Sequence, residues 1–322
     1  MPAAGIPFHA TPLPSLRDPE SRFAFVSAAA RLPIAFVDAF VRTAIFRPDV
    51  LCTSGGFIAI PIALAARLLR VPIYLWEGNA IPGRTNRMLA GWSRRVGVSF
   101  DQARRWLPAR RAVLTGTPIR SSILRWTRAD GRRAFDIPAS AALVTITGGS
   151  QGSEKINDAI LSALARILPK THVLHVTGEA SFARAEAKRT ALPAELRPRY
   201  VVRARLGDDM GAALAAADLV VGRAGASSIA EPLALGVPLV LIPLGVAMDA
   251  HQDANARSAV EAGAATRLPE SELDDGRVVA VVTGLLQDAP RLERMSAAAR
   301  AAGQPDAARA IATDLVQIGG CA

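Results

Sequence analysis

Short apolar runs alternate with longer amphipathic segments along almost the whole chain. The runs suit strands that are buried on both faces, and the segments between them are long enough for helices. This alternation is typical of α/β proteins, in which a helix crosses over between two parallel strands. The predicted strands are Val50–Thr53, Pro72–Trp76, Arg95–Val98, Ala112–Leu114, Ala142–Thr147, His172–Val176, Tyr200–Arg203, Leu219–Val221 and Pro238–Ile242.

A polar, arginine-rich stretch separates two such series. It covers Ser121–Ala139 and contains the helix breakers Asp130-Gly131 and Pro138. Since 322 residues suit two domains of ordinary size, we predict two doubly wound domains, 1–123 and 124–304, with a ligand in the cleft between them. The predicted helices are Glu20–Phe46, Ile58–Leu69, Arg84–Trp92, Ile156–Ile167, Met210–Ala216, Ser227–Leu235, Gln252–Ala262 and an alanine-rich helical tail over Ser271–Gln317.

Composition excludes other classes of protein. Two cysteines, Cys52 and Cys321, cannot build a disulfide framework. The apolar run Phe57–Ala66 ends at Arg67, well short of a membrane span. The net charge of +10 predicts an anionic partner: a membrane surface, a nucleic acid or a phosphorylated substrate. No aromatic pattern suited to base stacking accompanies the charge, so a nucleic acid is not expected.

A glycine-rich turn, Gly148–Gly152, lies between a strand and a helix. Glycines there let backbone N–H groups approach a phosphate, and the helix N-terminus favours the negative charge. The spacing matches neither the dinucleotide-binding fingerprint nor a P-loop. A tight structural turn without a ligand is the alternative.

The segment Arg223–Glu231 repeats this arrangement after the strand Leu219–Val221. Its small residues allow close backbone approach, and Glu231 would lie one turn inside the helix, where a carboxylate can accept two hydrogen bonds from a ribose diol. The alternative is a capping box between Ser228 and Glu231. A polar cluster over Asp249–Ala256 opens the next helix, and a plain helix start does not explain its amides.

The first domain has similar turns after its strands. They are Ser54–Phe57, Trp76–Asn79 and Gly116–Arg120, and the last ends in an arginine suited to a phosphate. The histidines have no metal-binding spacing with one another or with the cysteines. They are His9, His172, His175 and His251.

Taken together and in this order, these segments resemble the MurG-type glycosyltransferases. Those enzymes transfer N-acetylglucosamine from its UDP donor to an undecaprenyl-diphosphate-linked muramyl pentapeptide in peptidoglycan synthesis, on which cell shape and division depend. The resemblance implies two Rossmann-like domains facing a cleft, the GT-B fold, with a C-terminal helix near 305–322 returning to the first domain. The segments that carry it are Ser54–Phe57, Glu77–Asn79, Gly83–Asn86, Gly116–Arg120, Gly148–Gly152, Gly207–Met210, Arg223–Glu231, His251–Ala256 and Glu261–Ala265.

The same resemblance implies a donor site, mainly in the second domain. Glu231 would hold the ribose hydroxyls, and the backbone of Gly207 would lie beside the uracil. His251 and Gln252 would lie near the sugar hydroxyls, although a glutamine is common in the family where His251 stands. The diphosphate would meet Ala226, Ser227, Ser228, Ile229 and Ala230, with Ser150, Arg120 and Asn79 completing the pocket.

The implied reaction is an inverting displacement, in which the muramyl 4-hydroxyl attacks the anomeric carbon as UDP leaves. Helix N-termini and Arg120 would stabilise the leaving diphosphate, with no cofactor and no obligatory metal. Because the acceptor is a membrane lipid, we expect peripheral docking on the anionic cytoplasmic face of the plasma membrane, with a cell-wall synthesis complex as a further candidate partner. The segment suited to that contact contains Phe36, Phe40 and Phe46 with Arg31, Arg42 and Arg47, although the phenylalanines would equally suit a helix buried against the sheet.

The chain departs from the family at its start. The family opens with a strand and a glycine-rich loop ending in histidine, thought to supply the general base. Met1–Ile6 aligns well inside the first domain instead. We therefore expect that two βα units, about 60 residues, precede this start in the native protein, and that without them donor binding persists while transfer is weak. The catalytic base is unknown, and Glu77 is only a weak candidate.

Two other functions fit the same segments. One is another UDP-sugar enzyme of the GT-B fold, such as a lipid glucosyltransferase or a UDP-N-acetylglucosamine epimerase. The other is a non-catalytic or decayed UDP-sugar-binding fragment.

Overall fold

Each strand of the computed structural model runs parallel to its neighbours in one of two sheets. The structure describes residues 5–11, 13, 22–149, 151–245 and 250–320. The strands are β1 Leu51–Thr53, β2 Ile73–Glu77, β3 Arg95–Val98, β4 Ala112–Leu114, β5 Leu143–Thr147, β6 His172–Val176, β7 Tyr200–Arg203, β8 Leu219–Gly222, β9 Leu239–Leu241 and β10 Ala265–Arg267.

Helices connect most of these strands. They are α1 Arg22–Phe46, α2 Ala59–Leu68, α3 Arg84–Trp92, α4 Ser121–Leu124, α5 Arg128–Ala134, α6 Glu154–Ile167, α7 Glu179–Ala191, α8 Met210–Ala216, α9 Ala226–Ala234, α10 Ala250–Glu261, α11 Asp275–Gln287, α12 Ala289–Ala302 and α13 Ala307–Gly319.

The second sheet has the strand order β10-β9-β8-β5-β6-β7. Its order reverses between β5 and β8, so this is a doubly wound sheet with a switch point at that pair. The first sheet has the order β1-β2-β3-β4, and its described strands follow one another without a reversal. The predicted α/β class with two parallel sheets is confirmed, and the second sheet is Rossmann-like.

All nine predicted strands are present, each within one residue of its predicted ends. Strand β2 begins at Ile73 because Pro72 has no N–H to donate to a ladder. Strand β10 was not predicted, because its short Ala-Thr-Arg sequence lacks a large apolar side chain. Helix α7 was not predicted either. Its only buried residues are Ser181 and Ala185, which are too small to give an apolar pattern.

The chain divides into two compact units. The first contains Met1–Gly78, Pro82–Thr115 and Arg309–Ala322, and the second contains Asn79–Ile81 and Gly116–Ala308. The division at Gly116 falls before the predicted boundary between residues 123 and 124. The polar stretch predicted to separate the domains instead forms α4 and α5, and both pack on α8 of the second unit.

The C-terminal helix α13 belongs mainly to the first unit, as the family resemblance implied. Its apolar residues Ile311 and Ile318 are buried in a cluster with Tyr74 of β2. Its Asp314 accepts a hydrogen bond from Arg95 at the start of β3. One apolar cluster and one ion pair therefore attach the end of the chain to the first sheet.

Helix α1 buries one face and exposes the other. Ala35, Ala39 and Thr43 are buried, and α1 packs on α2. The opposite face is apolar but exposed, and its members recur at helical spacing: Ile34, Val37, Val41 and Ile45. Among the described helices, none has the combined length and apolar character needed to cross a bilayer.

A buried arginine joins α5 to the second sheet. Arg132 is 3% exposed, and its Nη2 donates to Asp218 Oδ2 at 2.9 Å. Asp218 also accepts from the Leu143 N–H at 2.8 Å and from Arg128 at 2.6 Å. Asp218, which directly precedes β8, therefore neutralises the guanidinium and caps the start of β5.

Replacing Asp218 with alanine should lower the free energy of unfolding by about 3 kcal/mol, because Arg132 would keep a buried charge without its counterion. We expect the low end of the usual range because Arg132 retains four backbone carbonyl acceptors. Urea denaturation followed by circular dichroism measures the loss. The control is Asp158→Ala, which removes an exposed ion pair with Arg184 and should cost at most about 1 kcal/mol. Equal losses for the two variants would contradict the role of Asp218.

Candidate functional site

A pocket of about 360 Å³ opens at the carboxyl ends of the second sheet. Thr147 ends β5 and Val176 ends β6, and both line the pocket. Carboxyl ends of parallel strands beside a switch point are where open α/β sheets bind ligands. The remaining lining residues are Arg120, Gly149, Ala204, Arg205, Leu206, Gly207, Met210, Leu214, Ser227, Ser228, Glu231 and Pro232.

The N-terminus of α9 forms one wall of this pocket. Its N-cap is Gly225, in an extended conformation, and no side chain caps the helix. Ser227 and Ser228 are in the first turn and line the pocket. The alternative interpretation, a capping box between Ser228 and Glu231, is therefore wrong: with Gly225 as the cap, both residues lie inside the helix. First-turn N–H groups without a side-chain cap favour an anion at this end of α9.

Glu231 lies one turn further along α9 and is half-buried in the pocket wall. Burial raises the pKa of its carboxyl, and the positive charge of Arg120 partly offsets this rise. The Arg120 guanidinium is more than half exposed and lies 3.9 Å from the Asp208 carboxylate. The pocket therefore contains a carboxylate acceptor and an exposed positive charge whose ion pair with Asp208 is long.

The turn after β5 requires glycine. A Cβ on Gly152 would lie 2.5 Å from the Thr177 carbonyl oxygen, and one on Gly148 would lie 2.3 Å from the Ser153 nitrogen. Both distances are impossible for a side chain, so the backbone of this turn packs directly on neighbouring backbone. Gly149 has φ +85° and lines the pocket. Ser150, predicted to complete the donor site, lies outside the described residues.

A second group of predicted residues forms around Asn255, which is fully buried. Its Oδ1 accepts from the Ala80 N–H at 2.8 Å. Its Nδ2 donates to Asn79 Oδ1 at 3.2 Å and to the Ala224 carbonyl at 3.1 Å. This amide explains why Asn79–Ile81 belongs to the second unit although it follows β2 of the first.

The two residues at the start of α10 bond to neighbouring backbone. His251 Nδ1 lies 2.8 Å from the Ile81 carbonyl oxygen. Gln252 Oε1 accepts from the Leu244 N–H at 3.3 Å. Neither residue lines the pocket described above.

The structure therefore brings the predicted site residues together in two groups. The pocket group contains Arg120, Gly207, Ser227, Ser228 and Glu231. The other group joins Asn79 to α10 through Asn255. Three predicted diphosphate contacts lie on α9 without lining the pocket in the part of the chain that the structure describes. Of these, Ile229 is buried in the core, whereas Ala226 and Ala230 are partly exposed.

Glu77, the weak candidate for the base, is buried at the end of β2. Its Oε2 accepts from Asn86 Nδ2 at 2.7 Å. Asn86 Oδ1 in turn accepts from the Gly56 N–H at 3.0 Å, and a Cβ on Gly55 would collide with the same amide. The carboxylate thus shapes the glycine turn Ser54–Phe57 through one intermediate side chain.

Sequence reasoning missed several residues that shape the site. Leu206 and Leu214 supply part of the apolar lining beside Met210, which belongs to the predicted segment Gly207–Met210, and neither leucine has a signal of its own in the sequence. The hydrogen-bond partners of Asn255 could not be predicted, because Asn79 and Ala80 are distant along the chain. The sequence indicated only that Asn255 belongs to the polar cluster Asp249–Ala256. Arg223 and Glu270 form a buried ion pair beside the pocket loops, and nothing local distinguished Glu270.

Comparison with known families matches both units. The glycosyltransferase family 28 C-terminal domain matches residues 143–311, and the family's N-terminal domain matches residues 1–98. Two curated relatives are named UDP-N-acetylglucosamine--N-acetylmuramyl-(pentapeptide) pyrophosphoryl-undecaprenol N-acetylglucosamine transferase. The relative from Desulforudis audaxviator is 36% identical over 99% of this chain and 87% of its own length. The relative from Moorella thermoacetica is 40% identical over 83% of this chain and 73% of its own.

Solved structures show the same likeness. MurG from Acinetobacter baumannii has a TM-score of 0.71 at 27% identity, covering 90% of this chain and 79% of that one. A UDP-GlcNAc 2-epimerase from Neisseria meningitidis, bound to UDP-GlcNAc, has a TM-score of 0.64 at 15% identity, covering 89% and 82%. The epimerase shares the fold alone. The family matches and the two relatives show that this chain belongs to glycosyltransferase family 28.

Proposed function

We propose that this chain transfers N-acetylglucosamine from UDP-N-acetylglucosamine to the 4-hydroxyl of the muramyl pentapeptide that is linked through diphosphate to undecaprenol. The relatives named for this reaction are 36% and 40% identical, whereas the epimerase is 15% identical. Sequence identity therefore favours transfer over epimerisation. The observation that carries the assignment is a single pocket that contains Glu231, Arg120 and the N-terminus of α9.

Each part of the pocket suits one part of a uridine diphosphate. Glu231 is a half-buried carboxylate that can accept from both ribose hydroxyls. Apolar Leu206 and Met210 beside the backbone of Gly207 suit the flat uracil ring. The first turn of α9 and Arg120 offer N–H donors and positive charge to the diphosphate.

We propose an inverting displacement as the reaction. The acceptor hydroxyl attacks the anomeric carbon while the bond to the diphosphate oxygen breaks, so negative charge grows on the leaving UDP. Backbone donors at α9 and the Arg120 guanidinium would stabilise that charge where it develops. On this basis we also propose that no divalent metal is obligatory for transfer.

We further propose that the enzyme works at the cytoplasmic face of the plasma membrane, where it meets its lipid acceptor, and that it joins a cell-wall synthesis complex there. Helix α1 supports the membrane contact through its exposed residues Ile34, Val37, Val41, Ile45 and Phe46, with exposed arginines beside them. Phe36 and Phe40 are half-buried, so the exposed aliphatic side chains suit this contact better than these two phenylalanines do.

Replacing Glu231 with glutamine should weaken UDP binding about 5- to 30-fold, because a charge-assisted hydrogen bond becomes a neutral one. The affinity of the wild type should also fall on acidification, as protonation removes the carboxylate acceptor. Since the folded pKa is raised, this fall should begin at a higher pH than for an exposed glutamate. Isothermal titration calorimetry from pH 8 to pH 5 measures both effects.

Glu231→Gln itself should lack this component of the pH dependence, because glutamine does not titrate. The phosphates of UDP titrate identically with both proteins, so the difference between the two curves reports Glu231. The matched control is Glu293→Gln on α12, an exposed position outside the pocket. The melting temperature of Glu231→Gln at neutral pH should not fall, because the folded state disfavours the ionised carboxyl. Parallel pH curves for wild type and variant would contradict the role of Glu231.

Changing Val37, Val41 and Ile45 together to serine should reduce sedimentation with vesicles that contain anionic phospholipid, because the apolar face of α1 would no longer enter the interface. Binding of the wild type should also weaken at high salt, as expected for exposed arginines on anionic lipid. Val316→Ser on α13 is the control, since it removes an exposed apolar side chain elsewhere. Unchanged sedimentation of the triple variant would exclude α1 as the membrane contact.

A further inference from the structure

A buried ion pair lies beside the pocket loops without lining the pocket. Arg223 Nη2 donates to Glu270 Oε1 at 2.6 Å, and the two side chains are only 9% and 7% exposed. Arg223 follows β8 directly, and Glu270 lies beyond β10. Both charges lose their hydration when they are buried, and this loss offsets their attraction, so such a pair is weak evidence for stability by itself.

Arg223 reaches two other connections at the same edge of the sheet. Its Nη2 donates to Ser153 Oγ at 2.7 Å, and Ser153 is the N-cap of α6, directly after the glycine turn Gly148–Gly152. Its Nη1 donates to the Ile242 carbonyl at 3.3 Å, just beyond the end of β9. One guanidinium thus joins the connections that follow β5, β8 and β9, which are three adjacent strands.

Glu270 extends this network with its second oxygen. Its Oε2 accepts from the Gly245 N–H at 3.1 Å and from Lys155 Nζ at 3.0 Å. Gly245 belongs to the connection between β9 and α10, and a Cβ there would lie 2.8 Å from the same oxygen. Burial alone would raise the pKa of Glu270, but hydrogen bonds from Lys155 and Arg223 outweigh it and hold the pKa below its ordinary value. Glu270 therefore remains ionised at neutral pH.

We propose that Arg223 and Glu270 are positioning residues that fix the spacing of the glycine turn after β5 and the first turn of α9, and thereby set the affinity for the diphosphate of the donor. The guanidinium holds the carboxylate and Ser153 through Nη2 and the Ile242 carbonyl through Nη1, whereas an ammonium would have to reach all three acceptors from a single nitrogen atom. Neither side chain touches the nucleotide in this scheme. The inference rests on the proposed function, because it assigns these two turns to a UDP-sugar.

The test compares UDP with uridine as ligands for the full chain. Uridine has the base and ribose but no phosphates, so it reports the part of the pocket formed by Glu231 and Gly207. Arg223→Lys keeps the positive charge but loses the fork. We expect UDP to bind about tenfold more weakly to this variant by calorimetry, while uridine binding measured by ligand-observed NMR stays unchanged.

The double variant Arg223→Met/Glu270→Gln separates positioning from folding. Removing both charges together leaves no unpaired buried ion. The melting temperature of the double variant should therefore exceed that of Arg223→Met alone and that of Glu270→Gln alone. Its UDP affinity should nevertheless stay about tenfold below that of the wild type. Arg166→Ala is the matched control, because it removes another exposed cation of α6, paired with Asp275 outside this network, and should leave UDP affinity unchanged.

Two results would overturn the proposal. One is that both Arg223→Lys and the double variant bind UDP with the affinity of the wild type. The other is an equal loss of UDP and uridine affinity, which would indicate general loosening of the unit. Failure of the proposed function looks different: the wild type itself would bind neither UDP nor uridine, and both proposals would fall together.

Discussion

The reversal of strand order between β5 and β8 is the constraint on which the site depends. Crossovers on the two sides of that pair leave for opposite faces of the sheet, so their first turns diverge and leave a crevice at the strand ends. The glycine turn after β5 lines one side of this crevice, and the start of α9 lines the other side. The described strands of the first sheet contain no such reversal, and every pocket residue comes from the second unit.

Much of this arrangement could be predicted from the sequence, because it depends on local signals. Strands buried on both faces appear as apolar runs, and strand-to-helix turns appear as glycines, so strand positions and turns were correct. Glu231 was placed beside the first turn of α9 from spacing alone, and it lines the pocket. The donor roles of this residue and its neighbours remain predictions that the proposed experiments test.

What could not be predicted depends on contacts between distant parts of the chain. The polar stretch with α4 and α5 looked like a linker because its charged residues suggested solvent, whereas Arg132 is buried against Asp218. Asn255 and Glu270 act through partners up to 176 positions away, with no local pattern to reveal them. Tertiary packing also decides which residues of one helix line the pocket and which enter the core: on α9, Glu231 lines the pocket whereas Ile229 is buried in the core.

The segment Asn79–Ile81 has a consequence for how this molecule can be divided. The polypeptide leaves the first unit for three residues, returns at Pro82, and crosses again near Gly116 and Arg309. A fragment limited to residues 116–308 would retain the described pocket side chains, yet it would lose the Ala80 N–H and Asn79 Oδ1 that pair with Asn255. Chimaeras that exchange residues 116–308 between relatives must therefore also exchange Asn79–Ile81, since a cut at the main crossings alone leaves the fully buried Asn255 amide without two of its three partners.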